Sequence, residues 1–119
     1  MKIGFIGLGN VGGKLASSLL RNKFDVTVRD LDSGLVEQFK KLGAKSAVTP
    51  KELAEKVELI ITCLPSPVIC SEVMEGSNGV IEGLSENKIW LEMSTTDEHE
   101  VKRIGDKIKK LKAVPLDGP

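Results

Sequence analysis

Residues 2–13 read Lys2-Ile3-Gly4-Phe5-Ile6-Gly7-Leu8-Gly9-Asn10-Val11-Gly12-Gly13, and the rest of the chain falls into place around them. Lys2 to Ile6 has the apolar run of a buried strand, and Val11, Leu15, Leu19 and Leu20 then recur at helical spacing. Between strand and helix stand Gly7, Gly9 and Gly12 in a G-x-G-x-x-G pattern. In that context the first glycine permits a tight turn, the second lets backbone approach a diphosphate, and the third lets the helix close on the strand. Free N–H groups at a helix start also favour an anion. The hexapeptide Gly7-Leu8-Gly9-Asn10-Val11-Gly12 is therefore a candidate pyrophosphate cradle of a dinucleotide site.

Working outward, short apolar runs alternate with amphipathic stretches. Asp25 to Arg29 is a β-branched strand, and Leu35, Val36, Phe39 and Leu42 mark a helix face stopped by Gly43. A short strand over Lys45 to Val48 leads into Thr49-Pro50-Lys51-Glu52, which has the N-cap, first-turn proline and closing glutamate of a helix start. Val57 to Cys63 is a fourth strand ended by Leu64-Pro65, followed by a helix from about Ser66 to Met74 and a loop with Gly76 and Gly79. Lys88 to Met93 is a fifth strand. Val101, Ile104, Ile108 and Leu111 line a last helix with an acidic start and a lysine-rich end, and Ala113 to Leu116 is a sixth strand. Strands alternating with helices predict an α/β fold: a Rossmann-type, doubly wound, mainly parallel six-stranded sheet with helices on both faces, forming one domain over residues 1–119. Such sheets bind ligands beyond the carboxyl ends of their strands.

Composition narrows the function. The chain has 17 Lys+Arg and 17 Asp+Glu, a formal net charge of zero, and only 3% aromatic residues with no Tyr. A nucleic-acid partner is not expected, because phosphate contacts demand a basic excess and base stacking demands aromatics. No apolar run has the length of a membrane span, so no membrane partner is expected. The two cysteines, Cys63 and Cys70, lack metal-site spacing or partner histidines, so no metal is expected and a cytoplasmic location is. Cys63 reads as a buried apolar residue and His99, in the first turn of the last helix, as a solvated one.

Asp30 ends the second strand, placed for a carboxylate that accepts from a ribose 2′-OH and repels a 2′-phosphate. Leu31 and Asp32 follow it rather than an arginine, and Asp32 is placed to cap the next helix. NAD is accordingly expected over NADP, with Arg29, the neighbouring cation, able to reach a phosphate. Leu64 and Pro65 end a central strand at the ligand-bearing edge; they either present backbone to a ribose or simply stop the strand. Ser94 and Thr95 end the fifth strand at the same edge, where their hydroxyls either meet ligand or, with Thr96, cap the last helix.

Taken in order, these segments resemble the β-hydroxyacid dehydrogenase family, which includes 3-hydroxyisobutyrate dehydrogenase and 6-phosphogluconate dehydrogenase. Ile3 to Gly12 is similar to the family's GFIGLGxMG opening, with Val11 for Met; Cys63-Leu64-Pro65 is similar to its Met-Leu-Pro. Gly76 and Gly79-Val80 match its spaced glycines, Glu92-Met93-Ser94-Thr95 its Asp-x-Ser-Thr with Glu for Asp, and Asp117-Gly118-Pro119 the start of its Asp-Ala-Pro-Val-Ser-Gly-Gly. The resemblance implies that Cys63, Leu64, Pro65 and Thr95 lie against the cofactor and Ser94 against the substrate. It also implies that the catalytic Lys and the all-helical, dimer-forming domain lie downstream of residue 119, so that the chain holds no catalytic residue and the parent protein is a homo-oligomer. The implied activity is oxidation of a small β-hydroxy acid, such as 3-hydroxyisobutyrate, to a semialdehyde or keto acid. The alternatives are a non-catalytic dinucleotide-binding module, or imine reductase, pyrroline-carboxylate reductase or 6-phosphogluconate dehydrogenase chemistry.

Overall fold

The computed structural model describes residues 1–93 and 97–117. Among these, the parallel strands β1 (Lys2–Ile6), β2 (Asp25–Arg29), β3 (Lys45–Ser46), β4 (Leu59–Thr62), β5 (Ile89–Glu92) and β6 (Val114–Asp117) form one six-stranded sheet in the order β3-β2-β1-β4-β5-β6. The helices are α1 (Asn10–Arg21), α2 (Ser33–Lys41), α3 (Pro50–Lys56), α4 (Pro67–Glu75), α5 (Val80–Gly83) and α6 (Glu98–Lys110). Strand order reverses between β1 and β4, which is where such sheets open a crevice. Register keeps the strand ends level there: Ile6 pairs with both Arg29 and Thr62, and Thr62 pairs with Glu92.

Both sheet faces are covered, which is why the strands read as continuous apolar runs. Ile3, Phe5, Val26, Val28 and Ile61 pack with Ala16 of α1 and Phe39 of α2. On the opposite face Ile60 and Trp90 pack with Leu53 of α3, Met74 of α4, Val80 of α5 and Ile104 and Ile108 of α6. Ile60 and Ile61, adjacent in sequence, thus serve opposite cores, as the two-residue strand period requires.

Local chemistry starts and stops the helices as expected. The Asp32 carboxylate accepts from the N–H groups of Gly34 and Leu35 to cap α2. Thr49 Oγ1 accepts from Glu52 N at 3.1 Å at the start of α3, while Glu52 Oε1 accepts from Val48 N at 3.3 Å, one residue earlier than a standard capping box. Ser66 caps α4 through Ile69 N. Asp97, expected within the acidic start of α6, is its N-cap, bonded by His99 N.

Departures from expectation are at element ends. β3 has two paired residues instead of four: Val48 is 75% exposed, and its carbonyl is taken by Arg29 Nη1 at 2.6 Å. The expected loop after α4 contains the single turn α5, too short for a periodic pattern to reveal. At the sheet edge, Val114 N donates inward to Lys88 O at 2.8 Å, and the next residue, Pro115, lies against Gly105 of α6.

A buried polar chain joins the ends of β4 and β5 to α4. Trp90 Nε1 donates to Thr62 Oγ1 at 2.9 Å, and Thr62 Oγ1 and Cys70 Sγ donate to Glu92 Oε2 at 3.2 and 3.1 Å. Burial, and then the hydrogen bond and charge of Glu92, push the Cys70 thiol far above its ordinary range. Thr62→Val keeps the volume but leaves the buried Trp90 N–H without its acceptor. A loss of about 2 kcal/mol is expected in urea titrations.

Near the surface, Arg103 holds Glu75 bidentately, with Nη2–Oε1 at 2.6 Å and Nη1–Oε2 at 2.9 Å, and Lys107 adds a further contact. The Arg103 hydrogen bond, followed by those of Lys107 and Ser71, holds the Glu75 carboxyl down to about 2, from an ordinary 4.5. Because the folded value is the lower one, this stabilisation is present above the unfolded value and is lost as pH falls from about 4.5 towards 2. Glu75→Gln is expected to be less stable than the unsubstituted chain at pH 7, with the difference closing below pH ~3.

Candidate functional site

The glycine turn sits at the strand reversal, and its geometry separates the roles of its glycines. Gly7 has φ +101°, and a Cβ there would run into the Cys63 carbonyl oxygen. A Cβ on Gly12 would run into the Gly7 carbonyl oxygen. Gly9, the N-cap of α1, has nothing within 4 Å of its Cβ position. Space is filled by protein at the first and third glycines and open at the second, where a diphosphate needs to approach.

Asn10 and Val11 begin α1, so their N–H groups have no preceding helical carbonyl. With no acidic residue in that first turn, the positive end of the helix dipole faces open space. The Gly12 N–H lies against the Cys63 thiol instead. Burial and the Glu92 charge hold that thiol above its ordinary value, which leaves it a poor nucleophile.

Asp30 ties the two sides of the site together. Its Oδ2 accepts from Leu8 N at 2.7 Å and its Oδ1 from Asp32 N at 2.8 Å, so one carboxylate links the glycine turn to the β2–α2 turn. Each oxygen retains a lone pair. Arg29 stands beside it, with Nη1 engaged by the Val48 carbonyl.

These features line one cleft of about 690 Å³, within the range of small-molecule sites. Of the residues predicted from sequence, Gly7, Gly9, Asn10, Val11, Gly12, Arg29, Asp30, Cys63, Leu64 and Pro65 all line it. Leu8 does not: its side chain is buried beneath the turn at 2% exposure and its N–H belongs to Asp30. Ser94 and Thr95, with Thr96, and also Gly118 and Pro119, lie outside the described residues. His99 is exposed on α6, apart from the cleft.

The sequence reading missed the cleft's far wall. Ile69, Glu72 and Val73 line it from α4, joined by Ser77, with Leu31, Asp32, Leu35 and Pro50 opposite. The signal was present on α4: residues 69, 72 and 73 share one face by i, i+3, i+4 spacing, while Cys70 and Met74 point into the core.

The fold and this cleft define a dinucleotide-binding domain of the doubly wound type. The chain belongs to the family described as the NAD binding domain of 6-phosphogluconate dehydrogenase, whose match runs over residues 2–119. It is 34% identical to mitochondrial 3-hydroxyisobutyrate dehydrogenase of Mus musculus over 117 residues, 98% of this chain and 35% of that protein. It is 40% identical to 3-sulfolactaldehyde reductase of Escherichia coli K12 over 93 residues, 78% of this chain and 31% of that protein. The chain therefore spans about a third of the length of these curated relatives. Among solved structures, the Mycobacterium tuberculosis 3-hydroxyisobutyrate dehydrogenase with L-serine superposes with TM-score 0.88 at 19% identity, covering 99% of this chain and 40% of that one. An imine reductase from Myxococcus stipitatus in complex with NADP+ does so with TM-score 0.88 at 18% identity, covering 98% and 40%. At those identities the likeness establishes the shared fold.

Gly9→Val fills the open space without meeting protein, so it is expected to abolish dinucleotide binding in calorimetry while the urea midpoint changes little. Gly12→Val, which collides with the Gly7 carbonyl, is expected to destabilise the fold itself by several kcal/mol. Unchanged affinity in the Gly9 variant would remove the diphosphate from this turn.

Proposed function

We propose that the chain is the cofactor-holding domain of an NAD-dependent oxidoreductase that converts a small β-hydroxy acid, of the 3-hydroxyisobutyrate type, to a semialdehyde or keto acid. The observation that carries this is the cradle: open space at Gly9, free N–H groups on Asn10 and Val11, and the Asp30 carboxylate one strand away. A bound nicotinamide supplies the hydride chemistry, and these residues supply binding and orientation. Asn10 and Val11 N–H receive the diphosphate at the positive end of α1. The spare lone pairs of Asp30 receive the adenosine ribose hydroxyls, and its charge opposes a 2′-phosphate. Leu64 and Pro65 line the path towards the nicotinamide end. The substrate class is supported by the relatives named 3-hydroxyisobutyrate dehydrogenase. A second reading, reduction of an aldehyde by the same machinery, is favoured by the likeness to 3-sulfolactaldehyde reductase.

Proton transfer needs a group within hydrogen-bond reach of the reacting centre. The titratable side chains lining the cleft are Arg29, Asp30, Asp32, Cys63 and Glu72, with neither His nor Lys among the described lining residues. Asp30 and Asp32 are engaged in the turns they hold, the Cys63 thiol is raised, and on this reading Glu72, on the α4 wall facing Leu31 and Pro50, belongs to the adenosine end and not to the nicotinamide end. Binding without turnover is therefore the expected behaviour of these 119 residues.

Calorimetry is expected to give tighter binding of NAD+ than of NADP+. Asp30→Ala is expected to narrow that gap, and to weaken both because Leu8 N loses its acceptor. A preference for NADP+ in the unsubstituted chain would instead assign that end of the cleft to Arg29. With 3-hydroxyisobutyrate or serine and NAD+, no sustained NADH formation is expected, and turnover would place a proton acceptor among these residues.

A further inference from the structure

The far end of the cleft carries a carboxylate that nothing so far employs. Three carboxylates line the cleft, and two already have roles: Asp30 accepts from Leu8 N and Asp32 N and keeps its spare lone pairs for the ribose, and Asp32 caps α2. The Glu72 carboxylate makes no hydrogen bond or ion pair among the described residues. Around it the walls are apolar, with Leu31 and Pro50 on one side and Ile69 and Val73 on the other, and the Ser77 hydroxyl is the other polar side chain on the α4 side. Lys51 N donates to Asn78 O at 2.8 Å, which fixes the loop carrying Ser77 against the start of α3 and bounds this end.

What fills this space follows from the dinucleotide reading above, on which the inference rests. With the diphosphate at Asn10 and Val11 and the ribose at Asp30, the base lies beyond Asp30, between those apolar walls. Seating it there displaces the water that solvates Glu72. A carboxylate stripped of water must gain a donor or weaken binding. Adenine brings one, its exocyclic amine, whereas a hypoxanthine or guanine base presents a carbonyl oxygen at the same position, acceptor against acceptor. We propose that Glu72 reads the base, accepting a hydrogen bond from the adenine 6-amino group and rejecting 6-oxo purines. Discrimination then comes mainly from the unpaired carboxylate left facing the wrong base.

The test compares NAD+ and NADP+ with their hypoxanthine counterparts, which carry a 6-oxo group and an N1–H in place of the 6-amino group and bare N1, by calorimetry on the full 119-residue chain. The unsubstituted protein is expected to bind the adenine form about tenfold or more tightly, the worth of one charge-assisted hydrogen bond. Glu72→Ala is expected to bring the two forms within about twofold. Glu72→Gln, whose amide can donate to a 6-oxo group, is expected to favour the hypoxanthine form relative to the unsubstituted chain. Both variants lie on an exposed helix position, and circular dichroism checks their folding. Binding of both forms without discrimination, or discrimination that survives Glu72→Ala, overturns the proposal and leaves the dinucleotide reading standing. Failure of all four dinucleotides to bind overturns both.

Discussion

No atom can be added at Gly7 or Gly12 without displacing backbone, and the site is built on that closeness. The Cys63 carbonyl, just past β4, occupies the space of a Gly7 side chain, and the Gly7 carbonyl occupies that of a Gly12 side chain. The turn is thus wedged between the exits of β1 and β4, where strand order reverses, and α1 can only start from that point. Its first N–H groups consequently open on the crevice and not on the core. The same wedge leaves the Gly9 Cβ position free of neighbours, because Gly7 and Gly12 meet backbone and Leu8 packs beneath the turn.

Two polar devices hold the rim of this wedge from opposite directions. From β2, Asp30 accepts from the turn itself, so a carboxylate that lines the cleft also keeps the glycine turn in shape. From beneath, the chain of Trp90, Thr62, Glu92 and Cys70 pins the ends of β4 and β5 to α4. A glutamate reaches α4 from β5 here, and the extra methylene relative to the family's aspartate lies within this buried network.

Most of the fold was legible because two kinds of signal agreed. Apolar runs marked the six strands, and capping residues at Asp32, Thr49 and Ser66 marked where helices began. The errors have physical causes. The apolar Ala47 and Val48 extend the expected strand past Ser46, yet Val48 turns outward to give its carbonyl to Arg29. The turn α5 was missed because four residues hold no period. At the site, the motif-bearing half was readable: Gly7 and Gly12 stand where no side chain fits, and Asp30 brings a side-chain carboxylate to the turn. Leu8 differs from its motif neighbours in that its side chain lies under the turn, outside the cleft's lining, which the motif's spacing does not reveal. The α4 wall was overlooked because Ile69, Glu72 and Val73 look like any amphipathic helix until the sheet brings Asp30 opposite them.

Pro115 has an effect at the other end of the sheet that reaches past packing. Because Val114 directs its N–H inward to Lys88, the adjacent residue directs its backbone outward, and there the chain has placed the one residue without a donor. The outward N–H before it, on Ala113, is already spent on Ile108 O. An open strand edge recruits foreign strands by offering a ladder of donors, and this one lacks two successive outward donors beside Val114 and Leu116, which are 44% and 48% exposed. Over residues 113–115 this edge offers a foreign strand no backbone donor.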